Sequence, residues 1–312
     1  MIMKAALCVQ ILEALHNPKI ANLVQRTLYE DLATFGVPQP LDLAVTTIEK
    51  LKQAGEKYPA AAQKLALEIY PTWQGISVRE KYHAYNWSVE RRGSAQVASQ
   101  YVAGKSLLDL GGGPGTFAIE TLKLLPERDL KVTIADIADW RNDQAKASPN
   151  IDFKQLEAGR ALPFRDQEFD SLALLYVLHH VESDHDAFLL EVGRVARKAI
   201  LIFEDVKVDL SRGRPQRAHQ PARDLEEKFL SLSLEEQHQF IALVDYICNH
   251  IASQALGMPV PGKYYEYRAL TDKLKSLFPR ANVISRYHGI HDQKTYPNPE
   301  ALYVVQFDEG AK

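Results

Sequence analysis

A glycine-rich turn between two regular elements decides the fold of this 312-residue chain: Leu107-Leu108-Asp109-Leu110-Gly111-Gly112-Gly113-Pro114-Gly115-Thr116-Phe117. An apolar run typical of a buried strand leads into four glycines within five residues, and a helical pattern follows. Glycine lets the backbone turn tightly and lets a ligand approach where a Cβ would clash. The N–H groups of the following helix point back at the turn, so an anionic group can bind there.

Two kinds of ligand fit such a turn. The spacing Gly113-x-Gly115-x-x-Ala118 satisfies the dinucleotide pattern G-x-G-x-x-G/A. The longer alternation Asp109-x-Gly111-x-Gly113-x-Gly115 instead places a carboxylate at the end of the strand. That carboxylate would repel a pyrophosphate, but it favours a ligand that carries an ammonium and a sulfonium group. The alternation therefore favours S-adenosylmethionine as the cofactor.

Strands and helices alternate on both sides of this turn, which predicts a parallel sheet covered on both faces. Residues 1 to about 102 contain only helical patterns, and residues 207 to about 257 are helical again. The predicted strands are residues 106–110, 131–136, 151–155, 169–177, 199–205, 281–290 and 301–307, and the linking helices are about 116–125, 138–146 and 184–197. The fold class is therefore α/β, doubly wound, with helical additions.

Asp136 ends the second predicted strand, about 20 residues after the glycine turn. Nucleoside-binding α/β folds place a carboxylate there, on the ribose hydroxyls. Asp136 could instead cap the predicted helix 138–146.

Four blocks in order, LLDLGGGPGTF, VTIADI, ALPFRDQEFDSLALLYVLHHV and AILIFEDV, give a resemblance to the class I S-adenosylmethionine-dependent methyltransferases. The branch with the ubiquinone/menaquinone-biosynthesis and natural-product enzymes is the most similar. The resemblance implies a mostly parallel, Rossmann-like sheet of seven strands with the last one antiparallel. It places a methyltransferase domain at 81–312, and the helical pattern before it forms an N-terminal extension (1–80). A helical insertion at about 207–262, before the last two strands, would form part of the acceptor pocket.

The resemblance assigns cofactor contacts residue by residue. Asp109 and Gly111 would meet the methionine end, and Asp136 the ribose. Glu157 would hold the adenine amino group, although this needs one extra residue in its loop. The remaining expected contacts are Gly113 and Gly115 in the turn, Ile137 on the adenine, Tyr176 beside the transferred methyl, and Tyr82 and Tyr85 in a helix folded over the cofactor.

The expected reaction is methyl transfer to a small molecule through an oxygen, nitrogen or carbon nucleophile, catalysed mainly by proximity and orientation. A base could remove the acceptor's proton, and the candidates are His180, Tyr176, His288 and His291. The pair His179-His180 also suggests a metal, but adjacent side chains diverge and no carboxylate pattern completes a cage. We therefore expect no metal.

Composition excludes several other classes. The net charge of −3 gives no sign of nucleic-acid binding, and two distant cysteines fit a reducing, cytoplasmic compartment. No apolar run is long enough to span a membrane, and the first residues read as a helix and not as a signal peptide. The alternatives that stay open are an NAD-dependent oxidoreductase, an aminopropyl transferase and a non-catalytic cofactor-binding subunit.

The N-terminal extension needs burial for its apolar stripe, which includes Leu23, Val24, Leu28 and Leu32. It could cap the cofactor cleft through Tyr82 and Tyr85, or it could form a homodimer. The cap is favoured because the tyrosine-rich segment joins the extension directly to the core.

Overall fold

The sheet organises the molecule. The computed structural model describes residues 12–34, 36–57, 91–217, 224–252, 260, 262–290 and 298–308. The strands are β1 (Ser106–Leu110), β2 (Lys131–Asp136), β3 (Ile151–Gln155), β4 (Phe169–Leu175), β5 (Ala196–Asp205), β6 (Asn282–Gly289) and β7 (Glu300–Gln306). Their order is β3-β2-β1-β4-β5-β7-β6, with β7 antiparallel to both neighbours and every other pairing parallel. The predicted fold class is confirmed.

Helices cover both faces of the sheet, with one apolar layer on each. They are α1 (Pro18–Thr34), α2 (Pro40–Lys57), α3 (Arg91–Ala98), α4 (Thr116–Leu124), α5 (Asp143–Ala147), α6 (His185–Val195), α7 (Asp224–Leu230), α8 (Leu234–Tyr246) and α9 (Tyr267–Leu277). A π-helical stretch, Ile247–Ala252, continues α8. Among the described helices, none combines the length and the apolar character needed to cross a lipid bilayer.

Three predicted boundaries shift for local reasons. The helix predicted at 138–146 is the shorter α5, because the Asn142 side chain caps it by accepting a hydrogen bond from Ala145 N at 2.9 Å. The fifth strand begins at Ala196, three residues before the predicted start, directly after α6 ends. The fourth strand ends at Leu175 instead of residue 177, where the backbone turns sharply.

The N-terminal helices pack on the helices that precede the last two strands. The apolar stripe of α1 is buried, and α1 contacts α7 and α8. Asn17 Nδ2 donates to Glu236 Oε1 at 2.8 Å, and Arg26 pairs with Asp224 at 2.5 Å. The α1 stripe is thus covered within one chain, and α1 forms an outer layer over α7 and α8.

Asp170 joins the start of β4 to the turn that opens β1. Its Oδ2 accepts hydrogen bonds from Lys105 N at 2.9 Å and from Ser106 Oγ at 3.2 Å, while Oδ1 accepts from Arg197 Nε at 3.0 Å. Burial alone would raise the pKa of this carboxyl, but the Lys105 and Arg197 hydrogen bonds outweigh it and bring the pKa down to about 2. Asp170 is therefore a buried, ionised anchor.

We expect Asp170→Asn to lower the free energy of unfolding at pH 7 by about 1.5–3 kcal/mol, because it removes charge-assisted hydrogen bonds. A carboxyl with a depressed folded-state pKa stabilises the fold above its unfolded pKa and loses that effect as pH falls towards 2. The difference between wild type and variant should therefore shrink between pH 4 and pH 2 in urea titrations. Asp166→Asn, at a largely exposed carboxylate, is the control. Equal stability of wild type and Asp170→Asn at pH 7 would contradict this role.

Candidate active site

The glycine turn lies at the point where the strand order reverses, between β1 and β4. Ligands of open α/β sheets bind at this point, beyond the carboxyl ends of the strands. Gly115 has φ +81°, and a Cβ there would lie 2.7 Å from Ile134 Cδ1. Gly113 has φ +51°, and a Cβ there would meet nothing within 4 Å. Gly115 is thus required by the protein's own packing, whereas Gly113 borders open space.

Asp109 lies beneath the turn. Its side chain is buried, and a Cβ at Gly112 would lie 2.6 Å from its Oδ2. The carboxylate therefore sits directly against the backbone of Gly112 and places a negative charge under the turn.

Asp136 connects the end of β2 to the turn. Its Oδ2 accepts a hydrogen bond from Gly113 N at 3.0 Å, and its Oδ1 accepts from Ile137 N at 2.7 Å. Burial raises the pKa of Asp136, and these backbone hydrogen bonds partly oppose that rise. Each carboxylate oxygen has two acceptor sites, so both can also accept from a ligand hydroxyl. α5 is capped by Asn142, so Asp136 is not its cap.

The segment after β2 presents apolar surface beside Asp136. Ile137 and Trp140 are 57% and 60% exposed. Leu156, the residue after β3, donates its N–H to Asp136 O at 2.8 Å. The next residue, Glu157, is exposed and pairs with Arg160 at 2.9 Å. Exposed apolar side chains beside a carboxylate at the end of a strand can pack on a planar ring.

Tyr176 follows β4 with a strained backbone, since its φ of +56° is rare for a bulky side chain. Its hydroxyl donates to Glu300 Oε2 at 2.6 Å and lies 3.3 Å from Ser94 Oγ. Its ring centroid lies 5.5 Å from that of Phe203. Residues held in such conformations cluster at functional sites, and here β7 and α3 both hold the side chain in place.

A buried polar cluster follows Tyr176. Glu204, at the end of β5, accepts hydrogen bonds from Val177 N and Leu178 N with Oε1, and it bonds His179 Nδ1 at 2.5 Å with Oε2. Burial would lower the pKa of His179, but Glu204 outweighs it and raises the pKa to about 9. His179 is therefore an imidazolium at neutral pH.

Helix α8 adds a second carboxylate to the cluster. Tyr264 OH donates to Asp245 Oδ2 at 2.5 Å, and burial raises the pKa of Asp245 to about 6. Sequence reasoning weighed the pair His179-His180 for a metal and kept His180 as a candidate base, but it gave no role to Glu204 or Asp245. The position of Glu204 at the end of a strand was an available signal, whereas Asp245 lies in a helix without a motif.

The structure brings several predicted site residues to one edge of the sheet. His180 is half-buried, and its ring centroid lies 4.0 Å from that of His179. His288 is buried near the end of β6, with its ring centroid 5.4 Å from that of Phe203. The predicted residues Tyr82, Tyr85 and His291 lie outside the described residues.

Comparison with known proteins agrees with this geometry. Residues 107–199 match the family model described as a methyltransferase domain. The UbiE ubiquinone/menaquinone biosynthesis C-methyltransferase of Xanthomonas axonopodis pv. citri is 32% identical over 127 residues, which cover 36% of this chain and 48% of the relative. The methyltransferase str2 of Strobilurus tenacellus is 26% identical over 102 residues, covering 33% and 36%.

A solved structure supports the fold. An O-methyltransferase family protein from Burkholderia thailandensis superimposes with a TM-score of 0.51 at 16% identity, covering 74% of this chain and 60% of that one. The chain thus has a Rossmann-like, doubly wound α/β fold, and within it residues 107–199 match the methyltransferase-domain model. It spans about half or less of the length of the two curated relatives.

Gly113 and Gly115, two of the three left-handed glycines of the turn, should respond differently to substitution. We expect Gly113→Ala to cost about 1–2 kcal/mol, the price of a left-handed conformation for a residue with a Cβ. Gly115→Ala should cost about 1–3 kcal/mol more, because its Cβ also overpacks Ile134. Chemical denaturation measures both values. Equal losses would show that packing does not distinguish the two positions.

Proposed function

We propose that this chain transfers a methyl group from S-adenosylmethionine to a small-molecule acceptor. The observation that carries the proposal is the open side of Gly113, next to the Asp136 carboxylate, at the switch point of the sheet. Backbone without a Cβ and a carboxylate on the neighbouring strand are what a nucleoside needs to bind closely.

The residues present fit this cofactor. Asp109, Gly111, Gly113 and Gly115 would hold the methionine end, and the Asp136 carboxylate would accept from the ribose hydroxyls. Ile137, exposed beside Asp136, offers an apolar surface for the adenine. Glu157 and Tyr85 stay predictions as further contacts. The Glu157 side chain, paired with Arg160, would have to give up that pair to reach an adenine.

The charge beneath the turn argues against a dinucleotide. A pyrophosphate above Gly112 would lie close to the buried Asp109 carboxylate, and like charges repel each other. An aminopropyl transferase would be expected to carry an acidic pair after β4, where this chain has Tyr176 and two histidines.

Methyl transfer demands little covalent chemistry from the protein. When bound, the cofactor supplies a methyl group on a sulfonium leaving group. Tyr176, fixed by Glu300 and Ser94, would shape the wall beside that methyl and exclude water. Among the described residues, His180 and His288 remain the candidates for taking the acceptor's proton, together with Tyr176. His179 is unsuitable as a base, because Glu204 already holds it protonated.

Cofactor affinity tests the proposal directly. We expect calorimetry to show S-adenosylhomocysteine binding at micromolar order, about 8 kcal/mol, and no binding of NADH. Gly113→Ala should weaken this binding at least tenfold, because its Cβ enters the space assigned to the ligand. Gly36→Ala is the matched control, since Gly36 is also left-handed and also borders open space. Binding of NADH without a response to S-adenosylhomocysteine would overturn the assignment.

Contacts between the helices support a division of the chain into an extension and a methyltransferase domain. Residues 1–80 form the extension and residues 81–312 the methyltransferase domain, whose insertion (207–262) covers the ends of β4 and β5. Asp245, which belongs to the insertion, supports this, because it lies close to His179 in the turn after β4. α1 in turn lies on α7 and α8, so the extension would cap the acceptor side indirectly. Amides of α1 and α8 should then gain hydrogen-exchange protection when S-adenosylhomocysteine binds.

The competing use of the extension is a homodimer. We expect the protein to run as a monomer in light scattering, because the α1 stripe is already buried within the chain. Leu28→Ala should cost about 2–5 kcal/mol of stability, as buried leucine truncations do, without changing the mass in solution. Tyr29→Ala, at an exposed position on the same helix, is the control. If the protein is a dimer and Leu28→Ala dissociates it, the extension serves as a dimer interface and the cap hypothesis is wrong.

A further inference from the structure

Three potential metal ligands converge at the end of β4. His179, His180 and Asp245 each offer a ligand atom, and these atoms all lie within 4.8 Å of one another. The expectation that adjacent histidines diverge is wrong here, since the two ring centroids lie 4.0 Å apart. The missing carboxylate comes from α8, 65 residues further along the chain than His180.

The surroundings of His179 orient it as a ligand. Glu204 takes Nδ1, and Glu204 is itself fixed by the N–H groups of Val177 and Leu178. This leaves Nε2 as the nitrogen for a ligand. Metal-binding histidines commonly place their second ring nitrogen on a carboxylate in this way, since the contact fixes the ring and makes the ligating nitrogen more basic.

Asp245 is supported in the same manner. Asn249 Nδ2 donates to its Oδ1 at 2.5 Å and Tyr264 OH to its Oδ2 at 2.5 Å. Both the carboxylate and His179 are buried, whereas His180 is half-buried. The three groups therefore lie at fixed positions, with one side of the cluster nearer to solvent.

We propose that His179, His180 and Asp245 bind a divalent transition-metal ion. Two imidazoles and one carboxylate suit Zn²⁺, Co²⁺ or Fe²⁺ better than Mg²⁺, which prefers oxygen ligands. The ion would take the place of the proton on His179, so Glu204 and Asp245 would still face a positive charge. Zn–N bonds of about 2.0–2.1 Å require a small inward movement of the side chains.

Three protein ligands leave at least one coordination position open. The cluster begins three residues after Tyr176, on the β4–β5 side of the turn. We assign the open position to an oxygen of the methyl acceptor, which makes hydroxylated acceptors the favoured substrate class. This last step rests on the proposed function, whereas metal binding itself does not.

The experiment uses the full chain, stripped with a chelator and titrated with Co²⁺ in the absence of any cofactor. We expect one equivalent to bind at micromolar order, with visible absorption of a tetrahedral or five-coordinate N/O site, and Zn²⁺ to displace it. His180→Gln and Asp245→Asn should each weaken binding at least 100-fold. His16→Gln, on the 3-10 turn before α1, is the matched control and should bind as wild type does.

The outcomes separate the alternatives. A dissociation constant for Co²⁺ weaker than about 1 mM would overturn the site. His179 would then be an imidazolium that lies between two carboxylates. Unchanged binding in His180→Gln, with native circular dichroism, would likewise overturn it. Metal binding without S-adenosylhomocysteine binding would keep the site and remove the proposed function. If the metal-free protein binds S-adenosylhomocysteine and shows no Co²⁺ signal, the proposed function stands and the metal site is wrong.

Discussion

One hydrogen bond joins the glycine turn to the second strand: Gly113 N donates to the Asp136 carboxylate at 3.0 Å. It ties the turn after β1 to the end of β2, two strands that are parallel neighbours. The turn can follow this path because Gly115 carries no Cβ to meet Ile134 on β2. The shape of the open space beside Gly113 therefore depends on the packing of β2 as much as on the glycines themselves.

The buried polar cluster after β4 is stabilised in a different way. There, charges are buried together and satisfied by one another, with Glu204, His179 and Asp245 coming from β5, the turn after β4, and α8. Removing one member of such a cluster is strongly destabilising, because it leaves a buried charge unpaired at a cost of several kcal/mol. The position of α8 over the sheet is thus set by electrostatics as well as by its apolar face.

Sequence predicts the parts of this molecule that depend on local pattern. The strands, the glycine turn and the carboxylate at Asp136 follow from periodicity and spacing, and the structure joins the turn to Asp136 at the carboxyl ends of β1 and β2. The polar cluster does not follow, because its members lie far apart in the chain and Asp245 is one acid among many in an amphipathic helix. The start of α5 was also predicted wrongly, at residue 138, because the capping side chain of Asn142 sets it at Asp143.

Because β7 is the last strand in the sequence, the β5-β7-β6 side of the sheet forms late during synthesis. β7 lies between β5 and β6, so β6 has no strand to join until residues 300–306 have been synthesised. The same segment carries Glu300, whose carboxylate accepts the Tyr176 hydroxyl from 124 residues earlier. A nascent chain that has emerged only as far as β6 would expose the edge of β5 and hold Tyr176 at one end only. Pairing of unsatisfied strand edges with other chains is the hazard at that stage, and it ends when β7 inserts.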